Sequence, residues 1–288
     1  MSSQSTQPRI PPELIAEIAA HSADDPPALR AMSLVSKAVR TFAIEHLFAV
    51  IHFACEQDIT WWGAMVQRTP RLQHIVKRVK FSDPSADGIK CHQQVQSPEP
   101  LSKAVVPPKI PIMPNVSIVE WESDIDSDTH TIDNSMAIAY MSLFPNSTEL
   151  CLSGMNFYPA GFASGFDKLA RFLCGRKLRV LSFWNTHVWG ELNDERLTFD
   201  LTALEELRVV GCCPDFFDST EFVSQLVEAS RPAALKSLTF AGRFSLGTSN
   251  APCSLQTIEN ILLIANPCLV NLSLIWDFYV WEPNLWAC

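Results

Sequence analysis

A short apolar motif that recurs along the chain restricts the possible folds more than any other feature of the sequence. In each copy, two apolar residues separated by two free positions are followed, two positions later, by a third. The clear copies are Leu178-x-x-Leu181-x-Phe183, Leu204-x-x-Leu207-x-Val209, Leu235-x-x-Leu238-x-Phe240 and Leu269-x-x-Leu272-x-Leu274. Weaker copies start at Val76, Val116 and Ser147, so successive copies start 26 to 40 residues apart. This pattern predicts a repeat protein whose units are mostly longer than the roughly 20–29 residues of a leucine-rich repeat.

Helical stretches are predicted between the copies. Asp218 and Glu221 form a pattern typical of a helix N-terminus, and Ser254 precedes another apolar run of helical spacing. A unit of one strand and one helix cannot cover its own apolar face, so neighbouring units must stack. We therefore predict the α/β class, with residues 51–288 forming an irregular leucine-rich-repeat-like α/β solenoid that has a curved parallel sheet and its helices outside.

A doubly wound α/β domain is the main alternative fold. It is disfavoured because no glycine-rich turn between a strand and a helix offers the phosphate site of such a sheet. The ninth position of the repeat, often Asn or Cys in leucine-rich repeats, is degenerate here: Cys212 fits, whereas Thr186, Arg243 and Asp277 replace it.

Charge and hydropathy exclude several classes of function. The 288 residues carry a net charge of −9, which argues against a surface dedicated to nucleic acid or to anionic lipid. No apolar run reaches the roughly 18 residues of a membrane span, and residues 1–9 do not resemble a secretory signal. Nine cysteines without a CxxC pair suggest neither a disulfide framework nor a zinc site. We expect an intracellular protein of the cytoplasm, the nucleus or both.

The first fifty residues predict three short helices after a disordered tail over residues 1–9. Pro11 and Pro12 stand where the first helix would begin, and Asp24 and Asp25 precede a second Pro pair in the same way. A third helix is predicted from about Val39. Units of about 40 residues bury little surface by themselves, so this module is expected to need a partner.

The same segment, residues 10–50, resembles an F-box domain, and most of all the F-box-like proteins abundant in mushroom-forming fungi. The resemblance rests on an apolar-Pro pair, a following Glu-Leu, a Leu-rich second helix and a Val-Ser-Lys step; the matching positions are Ile10, Pro11, Glu13, Leu14, Ile15, Ile18, Leu29, Leu34, Val35, Ser36, Lys37, His46, Leu47 and Phe48. Val39 departs from the pattern, since the family commonly has an aromatic residue there.

The resemblance implies a non-enzymatic substrate-recognition subunit of a Skp-cullin-F-box ubiquitin ligase. The helices would bind a Skp-type adaptor, which bridges to a cullin-RING ligase, and the solenoid would hold an unknown target protein. The adaptor-binding positions implied in this way are Ile10, Pro11, Leu14, Ile15, Ile18, Leu29 and Val35. An F-box-fold interaction or scaffold protein without a ligase role is the alternative.

Residues that alternate with the inward-facing repeat positions are expected to line the target-binding surface. They are Ser182, Trp184, Arg208, Val210, Thr239, Ala241, Ser273 and Ile275. A separate hypothesis places an acidic rim for a basic target at Glu120, Glu122 and the three aspartates at positions 124, 126 and 128.

Motifs for catalysis or metal binding fail on inspection, so no catalytic residue, cofactor or metal is predicted. Asp124, Asp126 and Asp128 start like a calcium loop, but Thr129 and Ser135 replace the required Gly and Glu. Gly161 to Gly165 places its serine one position too late for a nucleophile elbow. The neighbouring pairs Cys91-His92 and Cys212-Cys213 cannot converge on one ion.

The remaining segments carry simpler predictions. The proline-rich residues 82–114 predict a long flexible loop, and Ile59 to Arg68 predict a helix. Trp61 and Trp62 are expected to pack between domains. The basic run from Arg68 to Lys80 is expected to be a solvated edge.

Overall fold

A computed structural model describes residues 10–83, 110–123, 135–157, 165–188, 201–212, 234–245, 259, 262–263 and 268–279. Within these residues the protein is a mixed α/β structure with six α-helices, an eight-stranded parallel sheet and a second sheet of two strands. The predicted α/β class is therefore confirmed. The order of the elements matches the expected change from a helical N-terminus to a repeated sheet.

Three helices form the N-terminal module: α1 (Pro12–His21), α2 (Pro26–Val35) and α3 (Lys37–Leu47). The Asp25 carboxylate accepts a hydrogen bond from the Ala28 N–H at 3.0 Å and so starts α2 as the sequence predicts. Ser36 has an extended backbone between α2 and α3, and its hydroxyl accepts from the Val39 N–H at 3.2 Å. One residue thus separates the two helices, and α3 begins slightly before the predicted Val39.

The large sheet follows the module, and its strands lie side by side in chain order. They are β1 (Val50–Phe53), β2 (Arg78–Asp83), β3 (Ile118–Ser123), β4 (Glu149–Ser153), β6 (Val180–Trp184), β8 (Glu206–Cys212), β9 (Ser237–Ser245) and β10 (Asn271–Tyr279). All neighbouring pairs are parallel. A doubly wound sheet would reverse its strand order at a switch point, and the described strands show no such reversal.

The repeat motif determines where the strands begin. Each of the seven predicted copies has a strand that starts two residues after its first apolar position, from β2 after Val76 to β10 after Leu269. The eighth strand, β1, was not predicted. Its signal was present as Phe48-x-x-Ile51-x-Phe53, but Phe48 had been assigned to the end of the helical module and no element was predicted for residues 51–53.

One backbone carbonyl ahead of each strand links it to the next. The Ala49 oxygen accepts from the N–H groups of Lys77 and Arg78, and the Lys77 oxygen accepts in turn from Ser117 and Ile118. The same double acceptance repeats at every later step; the further acceptors are the carbonyls of Ser117, Thr148, Arg179, Glu205 and Lys236. This recurrence holds the register constant along the sheet although the repeats differ in length.

One face of the sheet forms the core. Alternate residues of most strands point to it and are buried, for example Leu150 and Leu152 of β4, whereas the residues between them are not. In β10, Leu272 continues the alternation but is 46% exposed. Three further helices contribute to the same core: α4 (Glu56–Arg68), α5 (Ser135–Ser142) and α6 (Gly165–Leu173). A 3₁₀ helix over Pro70–His74 follows α4.

Tight turns end two of the central strands. Gly154, after β4, has φ +67°, and its N–H donates to the Trp184 carbonyl at 2.8 Å. Asn185, after β6, has φ 46° and donates to the Val210 carbonyl at 2.8 Å. Beyond these turns the short strands β5 (Asn156–Phe157) and β7 (His187–Val188) pair in parallel. The turns thus join successive repeats at the ends of the strands.

Thr186 shows that the degenerate ninth repeat position keeps a structural role. Its side chain is buried, and its hydroxyl donates to the Leu152 carbonyl of the preceding repeat at 3.0 Å. A threonine therefore makes the inter-repeat bond that a leucine-rich repeat often assigns to Asn or Cys.

The structure corrects two of the predicted element bounds, and several other predictions concern residues that it does not describe. The loop predicted over residues 82–114 starts too early, because Ser82 and Asp83 extend β2 beside β3. The helix predicted from Ile59 begins at Glu56, where the Asp58 carboxylate accepts from the N–H groups of Ala54 and Cys55. The tail over 1–9, the aspartates at 124–128, the Gly161–Ser164 segment, Cys91-His92, Cys213 and the helix start at Asp218 lie outside the described residues.

Candidate interaction surfaces

The N-terminal module exposes much of its apolar surface. Leu14 and Ile18, one turn apart on α1, are 49% and 50% exposed, and Leu34 at the end of α2 is 78% exposed. Ile10 and Val35 are exposed as well. Single exposed apolar residues are ordinary, but five of them in fewer than forty residues are not. The module therefore presents an apolar surface that the described part of the chain leaves open.

The module's own core is small. Ala19, Leu29 and Ala43 are its only buried apolar residues, with Met32, Phe42 and Leu47 partly buried around them. Leu29 was expected to contact a partner, but it is 1% exposed and stabilises the contacts among the helices instead. Ile15 is half-buried, and Pro11 is exposed just ahead of α1. Val39, the departure from the F-box pattern, is half-buried on α3.

The end of α3 connects the module to the sheet. Ile44 and Phe48 pack against the large core, and the Phe48 ring lies 6.2 Å from the ring of Trp62 on α4. Trp62 is fully buried, as expected for packing between domains, whereas its neighbour Trp61 is exposed. The module is therefore attached through its third helix, while the exposed residues of α1 and α2 remain accessible.

The second surface is the sheet face opposite the core, which we call the open face. No described helix packs on it; its residues are Val50, His52, Arg78, Lys80, Ser82, Ile118, Glu120, Glu122, Glu149, Cys151, Ser153, Val180, Ser182, Trp184, Glu206, Arg208, Val210, Ser237, Thr239, Asn271 and Ser273. The face is polar and charged at most positions, with aliphatic residues at some strand ends. A face of a parallel sheet that the described residues leave uncovered is a surface on which another chain can lie.

Ion pairs organise the charges of the open face. Arg78 of β2 lies 3.7 Å from Glu120 of β3, and Lys80 pairs with Glu122 on the same two strands. On β8 the Arg208 guanidinium lies 2.7 Å from the Glu206 carboxylate. Along the strand starts, Arg179 and Lys236 both approach Glu205, at 2.9 and 3.7 Å. The expected acidic rim at Glu120 and Glu122 is therefore largely neutralised by the basic residues of β2.

Six of the predicted target-binding residues fall on the open face as their alternation implies, but not all six are accessible. Trp184 is 39% exposed, and Arg208, Val210 and Thr239 are half-buried. Ser273 is exposed, and the backbone of Ala241 and Ile275 lies in β9 and β10. Ser182 is an exception: it is 3% exposed between its register partners Cys151 and Arg208.

Cys151 occupies the middle of the open face without the properties of a nucleophile. Burial, and next the negative charge of Glu120, raise the pKa of its thiol to about 11. A thiol with such a pKa is protonated at neutral pH and reacts slowly. Cys151 therefore contributes a small neutral group to the surface.

Sequence reasoning missed some residues of the open face. Glu149, Cys151 and Val180 lie at its centre, yet none was predicted to be part of a surface. For Glu149 and Cys151 the signal was the alternation in the weak copy that begins at Ser147, where only Leu150 and Leu152 fit the apolar pattern. For Val180 it was the alternation in the clear copy that begins at Leu178.

Among the described residues, no group of three or more His, Cys, Asp or Glu side chains is arranged to hold a metal ion. Of the helices in that part of the chain, none has the length and hydropathy to cross a membrane.

Comparison with known proteins adds no further constraint. The protein families, the curated proteins and the solved structures each yield no match to this chain. Its function must therefore be inferred from the two surfaces described above.

Proposed function

We propose that this protein is the substrate-recognition subunit of a Skp-cullin-F-box type ubiquitin ligase, acting in the cytoplasm, the nucleus or both. The N-terminal helices bind a Skp-type adaptor, and the sheet, as an irregular leucine-rich-repeat-like solenoid, holds a target protein on its open face. Catalysis takes place on other subunits. The protein itself is an adaptor and not an enzyme.

The observation that carries this proposal is the exposed apolar surface of the helical module. Leu14, Ile18 and Leu34 remain open although α3 is anchored to the rest of the chain through Ile44 and Phe48. Burying a Leu or Ile side chain contributes roughly 1.5–3 kcal/mol to stability. A partner that covers several of these side chains would therefore stabilise the module by several times that amount. Exposed apolar side chains on a small helical unit are typical of a surface that is buried against a permanent partner.

The order of the strands supports the second half of the proposal. Parallel strands that lie side by side in chain order, each starting two residues after the first position of the same motif, are typical of a solenoid and so support this proposal. Solenoids bind partners along an extended face, and the open face offers one.

The test is co-purification of the full chain with a Skp-type adaptor and a cullin. The double variant Leu14→Asp/Ile18→Asp places two charges in the proposed contact, and it should lose the adaptor. A matched variant, Ile112→Asp/Val270→Asp, changes two exposed apolar residues outside the module and should retain it. Circular dichroism of both variants verifies that the helices persist.

The outcomes separate the proposal from its rival, an F-box-fold scaffold without a ligase role. Adaptor and cullin recovered together with the unchanged chain support the ligase function. Recovery that survives Leu14→Asp/Ile18→Asp refutes the contact surface, and failure of the unchanged chain to retain any adaptor favours the scaffold.

A further inference from the structure

The charges of the open face on strands β2 to β8 do not balance. Three basic side chains, Arg78, Lys80 and Arg208, face four carboxylates, those of Glu120, Glu122, Glu149 and Glu206. Each basic residue pairs with one of the other three carboxylates, and Glu149 forms no ion pair with any described residue. The surplus negative charge is therefore located at one position.

The neighbours of Glu149 make its carboxylate an unusual surface group. In the register of the sheet it lies between Ile118 of β3 and Val180 of β6, and all three side chains are half-buried. Two cations that the charge of Glu149 reaches, Arg179 and Arg208, are held by Glu205 and Glu206 at 2.9 and 2.7 Å. A half-buried carboxylate between two aliphatic side chains matches a Lys or Arg, whose apolar stem can pack while its charged end pairs.

Trp184 offers a second contact point for a bound chain, near the other end of the same strands. Trp184 is four residues beyond Val180 on β6, is the most exposed aromatic residue described on this face, and is in register with Val210 of β8. At about 3.3 Å per residue, four residues of strand span about 13 Å. An extended peptide repeats the same distance between residues i and i+4, which project from the same side.

We propose that the open face binds an extended segment of a target protein that carries Lys or Arg at one position and an apolar residue four positions away. The cationic residue pairs with Glu149, and the apolar residue packs on Trp184 and Val210. This inference rests on the proposed function only in taking the open face as the target-binding surface, and it requires no adaptor.

The test uses the full chain on an array of random twelve-residue peptides. Bound peptides should be enriched in Lys or Arg four positions from Leu, Ile, Phe or Met. Glu149→Gln should weaken binding of the selected peptides about two- to fivefold, the range of an exposed ion pair. Trp184→Ala should weaken it about fivefold or more, as expected for an aromatic anchor.

Glu45→Gln removes an exposed carboxylate on α3, outside the open face, and is the matched control; it should leave affinity unchanged. The inference would be overturned if the array selected acidic peptides or bound none at all. It would also be overturned if Glu149→Gln left the affinity for the selected peptides unchanged. Because the array contains neither adaptor nor cullin, its result is independent of the co-purification.

Discussion

The guanidinium of Arg176 donates a hydrogen bond to the carbonyl oxygen of Met141, 3.0 Å away, and so joins the ends of α5 and α6. Its other nitrogens donate to the carbonyls of Phe144 and Phe172, both at 3.1 Å, and the group lies 4.3 Å from the centre of the Phe172 ring. Burial lowers the pKa of Arg176 to about 10, which still leaves it protonated at neutral pH. A buried cation thus adds charge-assisted hydrogen bonds to carbonyl groups at and just beyond the ends of α5 and α6.

Replacing this cation should be among the most damaging single changes in the protein. Arg176→Met keeps roughly the length of the side chain but removes the buried hydrogen bonds to the carbonyls of Met141, Phe144 and Phe172, and we expect a loss of roughly 2–4 kcal/mol in the free energy of unfolding. The measurement is urea unfolding followed by circular dichroism. Lys177→Met changes the next, exposed residue and should stay within about 0.5 kcal/mol of the unchanged protein. Equal effects of the two variants would contradict the role given to Arg176.

Two glycines should respond to alanine in opposite directions. A Cβ atom on Gly154 would lie 2.1 Å from the Ser123 carbonyl oxygen, and the φ of +67° is itself unfavourable for alanine. We expect Gly154→Ala to lower stability by roughly 3 kcal/mol or more, as backbone strain adds to the clash. Gly63 lies within α4 with no atom near its Cβ position, so Gly63→Ala should raise stability by up to about 1 kcal/mol. Thermal unfolding of the two variants side by side measures the contrast.

The sequence predicted the strands well because burial of alternate residues leaves a direct trace in it. Seven strand starts follow from the apolar motif alone, and β1 was overlooked because Phe48 also completes the helical module. A helix was expected between successive copies of the motif, but the bounds of α5 were not predicted, because its residues, among them Ala137, Tyr140 and Met141, are buried on several sides. A helix buried in this way lacks the polar stripe by which an amphipathic helix is recognised.

The interaction surfaces were less predictable because they depend on relations between distant residues. Alternation placed Trp184 and Arg208 on the correct face, but the pairing of Arg78 with Glu120 requires the register between two strands. That register depends on loops whose lengths vary from repeat to repeat. The burial of Leu29 could not be read from its own helix, since Ala43 of α3 and Ala19 of α1 complete the small core around it.

The hydroxyl of Thr186 provides a measure of how much the inter-repeat bond contributes. Thr186→Val preserves the shape of the side chain and removes the donor to the Leu152 carbonyl, so the free energy of unfolding should fall by about 1 kcal/mol. Thr148→Val is the matched control, because that hydroxyl lies 3.5 Å from the Ser117 carbonyl and contributes a weaker bond. A loss at Thr148 as large as that at Thr186 would show that the buried bond adds nothing specific.

The reactivity of Cys151 should report its surroundings on the open face. Burial and the charge of Glu120 raise its pKa from an ordinary value near 9.0 to about 11, so its alkylation by iodoacetamide should be slow at pH 8 and rise up to about pH 11. In the urea-unfolded chain, the midpoint of the curve of alkylation rate against pH should lie near pH 9. Because the folded thiol has the higher pKa, its contribution to stability is present below pH 9 and is lost as the pH rises toward 11.

Glu120→Gln removes one cause of the raised pKa of Cys151 and leaves the other, burial. The midpoint of the alkylation curve should therefore fall without reaching the value of the unfolded chain. Peptide mapping by mass spectrometry follows this one cysteine among the nine, and a folded-state midpoint near pH 9 would contradict the burial described here.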